Sequence, residues 1–415
     1  MKRKFPLIGF WNNFWGRVVM LSIMLFFVYL GDGILSDWAP SFIQSSTKSS
    51  FLMGIILSFS SMVGFGADLI FPQLLKQVKT RKLMLMAIGT SLIFAGILLW
   101  AIVWPWLVIF LVAMAVWGVY YEFLGFGGQQ FVAETIPKTS RSGAWAIMGV
   151  FKSLAYFLGP IIGSYIAINK GDTSAVLVAV FSVLVGYVIW LLMGKNNKDI
   201  EVEETPEKVN IKNEIEHWRV LFFHVWPVLT ISIFMGLIDA TFWTTGTVLS
   251  DNLARENWLG GMFLPFYMLP MVLIGVVVAK WGIYQGKKKM AEVFMLLAGL
   301  CLACVSLVNS VWLLLIVSLL TGSALSIAWP LTDAVYSDII NRMGKEGKHM
   351  VGLSSSTISM SYILGPILAG GIAQVVGERM TFSVMGVFMS MAAIVLLMVT
   401  PKKLKLPQEE IKTWS

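Results

Sequence analysis

Ser153-Leu-Ala-Tyr-Phe-Leu-Gly-Pro-Ile161 and Ser359-Met-Ser-Tyr-Ile-Leu-Gly-Pro-Ile367 lie 206 residues apart in a chain of 415. The first runs on to Ile166-Ala167 and the second to Ile372-Ala373. Eight of the fifteen aligned positions are identical, among them Tyr156/Tyr362, Gly159/Gly365 and Pro160/Pro366. A second pair keeps nearly the same offset: Phe27 stands five residues before Asp32, and Phe234 five before Asp239. A repeat half as long as the chain means two homologous halves, and in an apolar chain parallel halves point to a secondary transporter.

The composition supports a membrane setting. The chain is 57% hydrophobic and 13% charged, with a mean hydropathy of +0.78, whereas a soluble domain carries about 25% charged residues. The two cysteines, Cys301 and Cys304, fall in one apolar run, which excludes a disulfide framework. The expectation is therefore no metal and no cofactor, with the thiols packing as small apolar groups. A net charge of +8 would suit nucleic acid, but the bases come in short bursts between apolar runs, so no nucleic-acid partner is expected. The basic N-terminus leads into a run too long for a cleavable signal and reads as a retained first span.

Runs long enough to cross a bilayer of about 20 residues occur twelve times, near 15–38, 51–75, 83–104, 106–133, 143–168, 173–194, 219–247, 258–281, 290–308, 311–337, 350–375 and 380–400. The fold class expected is an all-α membrane protein with twelve transmembrane helices in two pseudo-symmetric six-helix bundles. Numbering the sides alternately puts 26 of the 31 Lys and Arg on the N-terminal side and four opposite, while Lys152 lies within a span. That bias places both termini in the cytoplasm. The expected organisation is an N-terminal bundle over 1–194, a cytoplasmic linker over 195–217, and a C-terminal bundle with a cytoplasmic tail over 218–415.

Two six-span halves joined by a charged loop resemble the major facilitator superfamily. The family's loop between spans two and three reads G-x-x-x-D-R-x-G-R-K. Here the stretch from Pro72 to Lys82 keeps only the basic end, Arg81-Lys82, with Lys76 and Lys79 replacing the acid and a glycine. The second-half counterpart, Gly286-Lys287-Lys288-Lys289, keeps the glycine and the bases. The resemblance implies a gating role for this loop. Gly159-Pro160-x-x-Gly163-Ser164 in span five looks like the family's antiporter motif G-P-x-x-G-G. Aligning on Gly125-x-Gly127 puts Tyr121 where efflux relatives carry an arginine.

Ionisable groups inside spans are functional candidates by default. They are Asp32, Asp68, Glu122, Lys152, Asp239 and Asp333. In the family, spans one, four, seven and ten line the central cavity, and Asp32, Glu122, Asp239 and Asp333 fall one on each. Counted from residue 15, Asp32 lies ~25 Å along its helix, in the outer half. Glu122 is ~16 Å and Lys152 ~14 Å deep on sequential antiparallel helices, so they should pair. Asp32, Glu122, Lys152 and Asp239 are the expected proton-coupling set. Tyr29, Tyr121, Gln129, Trp243, Trp329 and Asp333 are expected to serve a substrate cavity. Asp68, Arg81, Lys82, Gly159, Pro160, Gly163, Gly286, Gly365 and Pro366 are expected to gate or shape the helices.

The functional expectation is a proton-coupled secondary transporter of a small organic solute in the cytoplasmic membrane, acting as a monomer, with protons, solute and bilayer as its partners. Export by antiport of a neutral or cationic molecule is slightly favoured, with a sugar or organic-solute symporter as the alternative. A membrane enzyme or a non-transporting receptor is the rival from another class; the short outer loops and scattered histidines speak against the enzyme.

Overall fold

The structure is a computed structural model that describes residues 14–74, 78–137, 140–193, 211–281, 286–400, 404, 406–411 and 414. The apolar runs fold as helices: α1 (Phe14–Thr47), α2 (Ser50–Leu74), α3 (Thr80–Val103), α4 (Leu107–Thr135), α5 (Arg141–Lys170) and α6 (Asp172–Leu192). The second half follows with α7 (Ile211–Thr241), a π-helical turn (Phe242–Gly246), α8 (Thr247–Glu256) and α9 (Phe263–Trp281). Then come α10 (Lys287–Ala303), α11 (Val311–Met343), α12 (Gly347–Val376), α13 (Glu378–Val399) and a short α14 (Gln408–Ile411). Among the described residues, eleven helical stretches are long and apolar enough to cross a membrane, and a shorter apolar one covers Trp258–Leu273. Together they account for the twelve expected spans. Continuous helix satisfies every backbone polar group within the segment, as a bilayer demands.

Two boundaries differ from the sequence reading. The first span does not stop near residue 38 but continues through Pro40 to Thr47, although the residues after the proline are mostly polar, because neighbouring helices cover this stretch; Ala39, Pro40 and Ile43 are all buried. Asp32 therefore stands near the middle of α1 rather than in its outer half. Residues 211–217, assigned to the linker, form the first turns of α7. They hold there because Glu214 and His217 have partners on α12 and the tail.

By internal contacts the chain divides into two units, residues 1–48 with 59–204, and 49–58 with 205–415. In the first, α1 packs on α5 and α6, and α3 on α4. In the second, α7 packs on α12, and α10 on α11 and α13. Span one against span five, and span three against span four, thus recur as span seven against eleven and nine against ten.

The repeated Gly-Pro segment shows how the packing is encoded. A Cβ on Gly159 would stand 2.9 Å from the Cα of Gly33 and 3.0 Å from the nitrogen of Ile34. A Cβ on Gly163 would stand 3.1 Å from the carbonyl oxygen of Ile34. One face of α5 therefore meets the α1 backbone, which only small residues permit. In the second half a Cβ on Gly365 would stand 2.5 Å from Ala240 Cβ, and Ala240 is the repeat partner of Gly33. Pro160 and Pro366 sit inside α5 and α12.

Candidate functional site: two buried aspartates held by tyrosines

The close α1–α5 contact brings Tyr156, one turn before Gly159, onto Asp32. The Tyr156 hydroxyl donates to Asp32 Oδ2 at 2.5 Å. From α4, Tyr121 donates to the same oxygen at 2.8 Å, and the Trp117 indole N–H donates to Oδ1 at 2.7 Å. Phe94 of α3 stacks on the Trp117 ring at 5.1 Å and 6°, which fixes the indole. Asp32 is 2% exposed. A buried carboxylate is tolerable only when its oxygens are hydrogen-bonded, and three donors from two helices meet that condition.

The second half repeats the arrangement with one substitution of partner. Tyr362 of α12, the repeat partner of Tyr156, donates to Asp239 Oδ2. Tyr267 of α9 donates to Oδ1 at 2.7 Å. In the first half the extra donors come from span four, and in the second from span eight. The Tyr267 ring stacks on Phe242 at 3.7 Å and 8°. Phe242 opens the π-helical turn just after Asp239. Such turns recur at functional sites because they re-aim side chains in the middle of a helix. Trp243 lies in the same turn and is half-buried.

Lys152, one turn before Tyr156 on α5, carries its Nζ 5.3 Å from the Tyr29 ring centroid and 5.8 Å from that of Tyr156. Tyr29 and Tyr156 are themselves 5.6 Å apart. The ammonium thus sits over an aromatic pair, one of whose members binds Asp32 by its hydroxyl. Tyr29, Asp32, Tyr121 and Lys152 of the expected set are brought together. Lys152 lies exposed rather than deeply buried. Glu122 Oε1 stands against α2, 3.1 Å from where a Cβ on Gly64 would be. Gln129 is exposed two turns along α4. Trp329 is half-buried and Asp333 exposed on α11, while the Asp68 side chain lies outside the described residues.

Of the loop residues, Arg81 is half-buried and Lys82 exposed at the start of α3. Gly286 adopts a left-handed φ of 70° at the head of α10, a conformation glycine takes freely. The bases after it are paired: Lys287 with Asp338 at 2.7 Å, and Lys288 and Lys289 with Glu292 at 2.8 and 3.2 Å. Glu292 is fully buried and was missed at the sequence level, although its spacing of three and four residues from Lys289 and Lys288 is a helix-pair signal. Asp37 was missed too. It is 1% exposed and accepts a hydrogen bond from Ser164 of the Gly-Pro segment at 2.9 Å. Tyr156 and Tyr362 carried a legible signal, being identical across the repeat at almost the offset of the two aspartates.

Comparison with known proteins agrees with this architecture. Among curated proteins none matches the sequence significantly. Solved structures that share the fold include a bacterial homologue of the human drug peptide transporters PepT1 and PepT2, with a TM-score of 0.71 at 14% identity over 93% of this chain and 98% of that one. A structure from work on proton dependent oligopeptide transporters gives 0.71 at 14% over 95% and 99%. Tetrameric PepTSo2 gives 0.70 at 13% over 93% and 96%. The sequence profile described as Major Facilitator Superfamily matches residues 124–285 and 253–415. With that match over most of its length, and with its membrane-spanning helices, this multi-pass membrane protein belongs to the Major Facilitator Superfamily of transporters.

Proposed function

We propose that the protein couples protons to the movement of a small zwitterionic solute, with short peptides the first candidates, and that it works in the direction of uptake. The observation that carries this reading is the Asp32–Tyr156–Lys152 arrangement. An acid and a base share one tyrosine, the acid on its hydroxyl and the base over its ring. A zwitterion offers an ammonium for the acid and a carboxylate for the base. Similarity in fold to proton dependent oligopeptide transporters supports the same solute class.

The Gly-Pro motif is one of the grounds for expecting export, beside the intramembrane acids and the lack of cavity arginines. That segment has a packing role against α1, and its counterpart in α12 makes the like contact with α7, so it carries no direction. Asp32 and Asp239 are the proposed proton-exchanging groups, with Glu122 beside α2 as a third. One chain holds both aspartate sites, which supports a monomer as the transporting unit. The basic ends are proposed to face the cytoplasm, and the membrane to be the cytoplasmic one.

The test uses purified protein in proteoliposomes with labelled di-alanine. Counterflow should occur without a gradient, and an inward proton gradient should accelerate uptake. Asp32→Asn should keep the fold and lose the acceleration. A proton gradient that drives solute outward would return the export reading, and an absence of counterflow with any short peptide would remove the solute class.

A further inference from the structure

At one end of the second unit, α7 and α12 each present a glutamate and a histidine three residues apart. Glu214 and His217 lie in the first turns of α7. Glu346 caps α12 and His349 follows in its first turn. The histidines are far apart in sequence, yet their rings stand 4.4 Å apart. His349 Nδ1 lies 2.7 Å from Glu214 Oε2, and its Nε2 lies 3.1 Å from Glu346 Oε2. His217 Nδ1 is buried and has no hydrogen-bond partner among the described residues. The C-terminal segment covers the group: Trp414 stacks on His217 at 4.3 Å and meets His349 edge-on at 5.6 Å.

We propose that Glu214, His217 and His349 form a binding site for a divalent transition metal of the zinc type, independent of the transport chemistry. Each residue offers one ligand atom, and these atoms lie within 4.8 Å of one another. In a tetrahedral site with bonds of about 2.0–2.1 Å, neighbouring ligand atoms stand about 3.3 Å apart. The Glu214–His349 contact need open by only a few tenths of an ångström, and the unpartnered nitrogen of His217 supplies the third ligand. Glu346 completes a carboxylate–histidine–metal relay, because a proton on His349 Nε2 donated to Glu346 leaves Nδ1 free for the metal. Two imidazoles and one carboxylate suit zinc, with a fourth position left for water. Trp414 supplies an apolar cover that limits solvent access.

The tail is placed to respond to the metal. Leu404, Leu406 and Ile411 belong to one buried cluster with Leu221, Ile339 and Met350, and Trp414 packs against it. Arg342 also donates to the Leu404 carbonyl at 3.0 Å. Metal binding would therefore tie the heads of α7 and α12 together beneath the C-terminal segment.

The test uses the full-length chain in detergent, freed of any affinity tag, with cobalt(II) and then zinc as probes. One cobalt per chain should bind with a tetrahedral absorption spectrum, and zinc should displace it. His217→Ala and His349→Ala should abolish the spectrum. Glu346→Gln should weaken binding ten- to a hundredfold, the range typical for loss of a relay partner. His224→Ala should change nothing, since that ring faces the Val220 carbonyl one turn up α7. Should the histidine variants fail to fold, X-ray absorption of the zinc-loaded wild type decides: the chain has three histidines, and the site requires two imidazoles in the first coordination sphere. No stoichiometric uptake by the wild type, equal uptake by folded His217→Ala and His349→Ala, or a zinc shell with fewer than two imidazoles would overturn the proposal.

Discussion

Asp32 and Asp239 are buried acids within long apolar helical stretches, and their tyrosines make them tolerable. Tyr156 touches Asp32 through an O–H that a phenylalanine would lack while keeping the ring under Lys152. Hydrogen bonds to charged groups contribute about 1.5–3 kcal/mol. Tyr156→Phe should therefore lower stability by about that amount, read as a lowered midpoint of thermal unfolding in detergent, and should also alter the pH profile of coupled uptake. Tyr165→Phe, on the 68% exposed Tyr165, should stay within about 0.5 kcal/mol of wild type and leave the profile unmoved. Equal behaviour of the two variants would deny the tyrosine–aspartate bond any role. Both aspartates and both tyrosines could be paired from the sequence by their nearly equal offsets. Trp117, Tyr121 and Tyr267 could not be assigned as donors, because which face of α4 or α9 turns toward an acid depends on helix rotation, and the repeat does not preserve it.

At the scale of elements, α5 is a template for two jobs at once. Its glycines lay the helix on the backbone of α1, and that approach delivers Tyr156 to Asp32. Gly159→Ala would drive a methyl to within 2.9 Å of Gly33 Cα. Backbone cannot yield as a flexible side chain does, so the expected loss is about 1–3 kcal/mol, the usual range for overpacking. Gly125→Ala in α4 meets nothing within 4 Å and should stabilise its helix by about 0.5–1 kcal/mol. Thermal unfolding of the two variants side by side checks the contrast, and a Gly159→Ala protein as stable as wild type would mean that α1 and α5 do not meet this closely in the membrane. The Gly-Pro segment was visible at once in the sequence, but its meaning was not. A motif read as a sign of transport direction is, in each half, a packing surface.

For the whole molecule, the distribution of Lys and Arg makes a statement about orientation that the fold alone does not. Single cysteines placed at the turns near Lys48, Lys170 and Arg379, in a background lacking Cys301 and Cys304, should react with a membrane-impermeant maleimide added outside intact cells. Cysteines near Arg81, Arg141 and Arg342 should react only after the cells are opened. Labelling of the second group in intact cells would invert the topology.

Hydropathy and charge are local properties, readable residue by residue, so the helical class, the twelve apolar runs of membrane length and the two related halves are all legible in the chain before it folds. The sequence also identifies Asp32 and Asp239 as equivalent, because a repeat offset needs no coordinates. Helix ends were less legible: α1 passes through Pro40 and α7 begins at Ile211, since neighbours can hold a helix beyond the point where its own composition would end it. Which side chains meet is a matter of packing in three dimensions. Asp32 with Trp117, Tyr121 and Tyr156, and His217 with His349 and Trp414, are gathered from distant helices. Their meeting depends on how each helix is rotated and how closely two backbones approach, and those quantities are set by packing across the bundle rather than by any one segment.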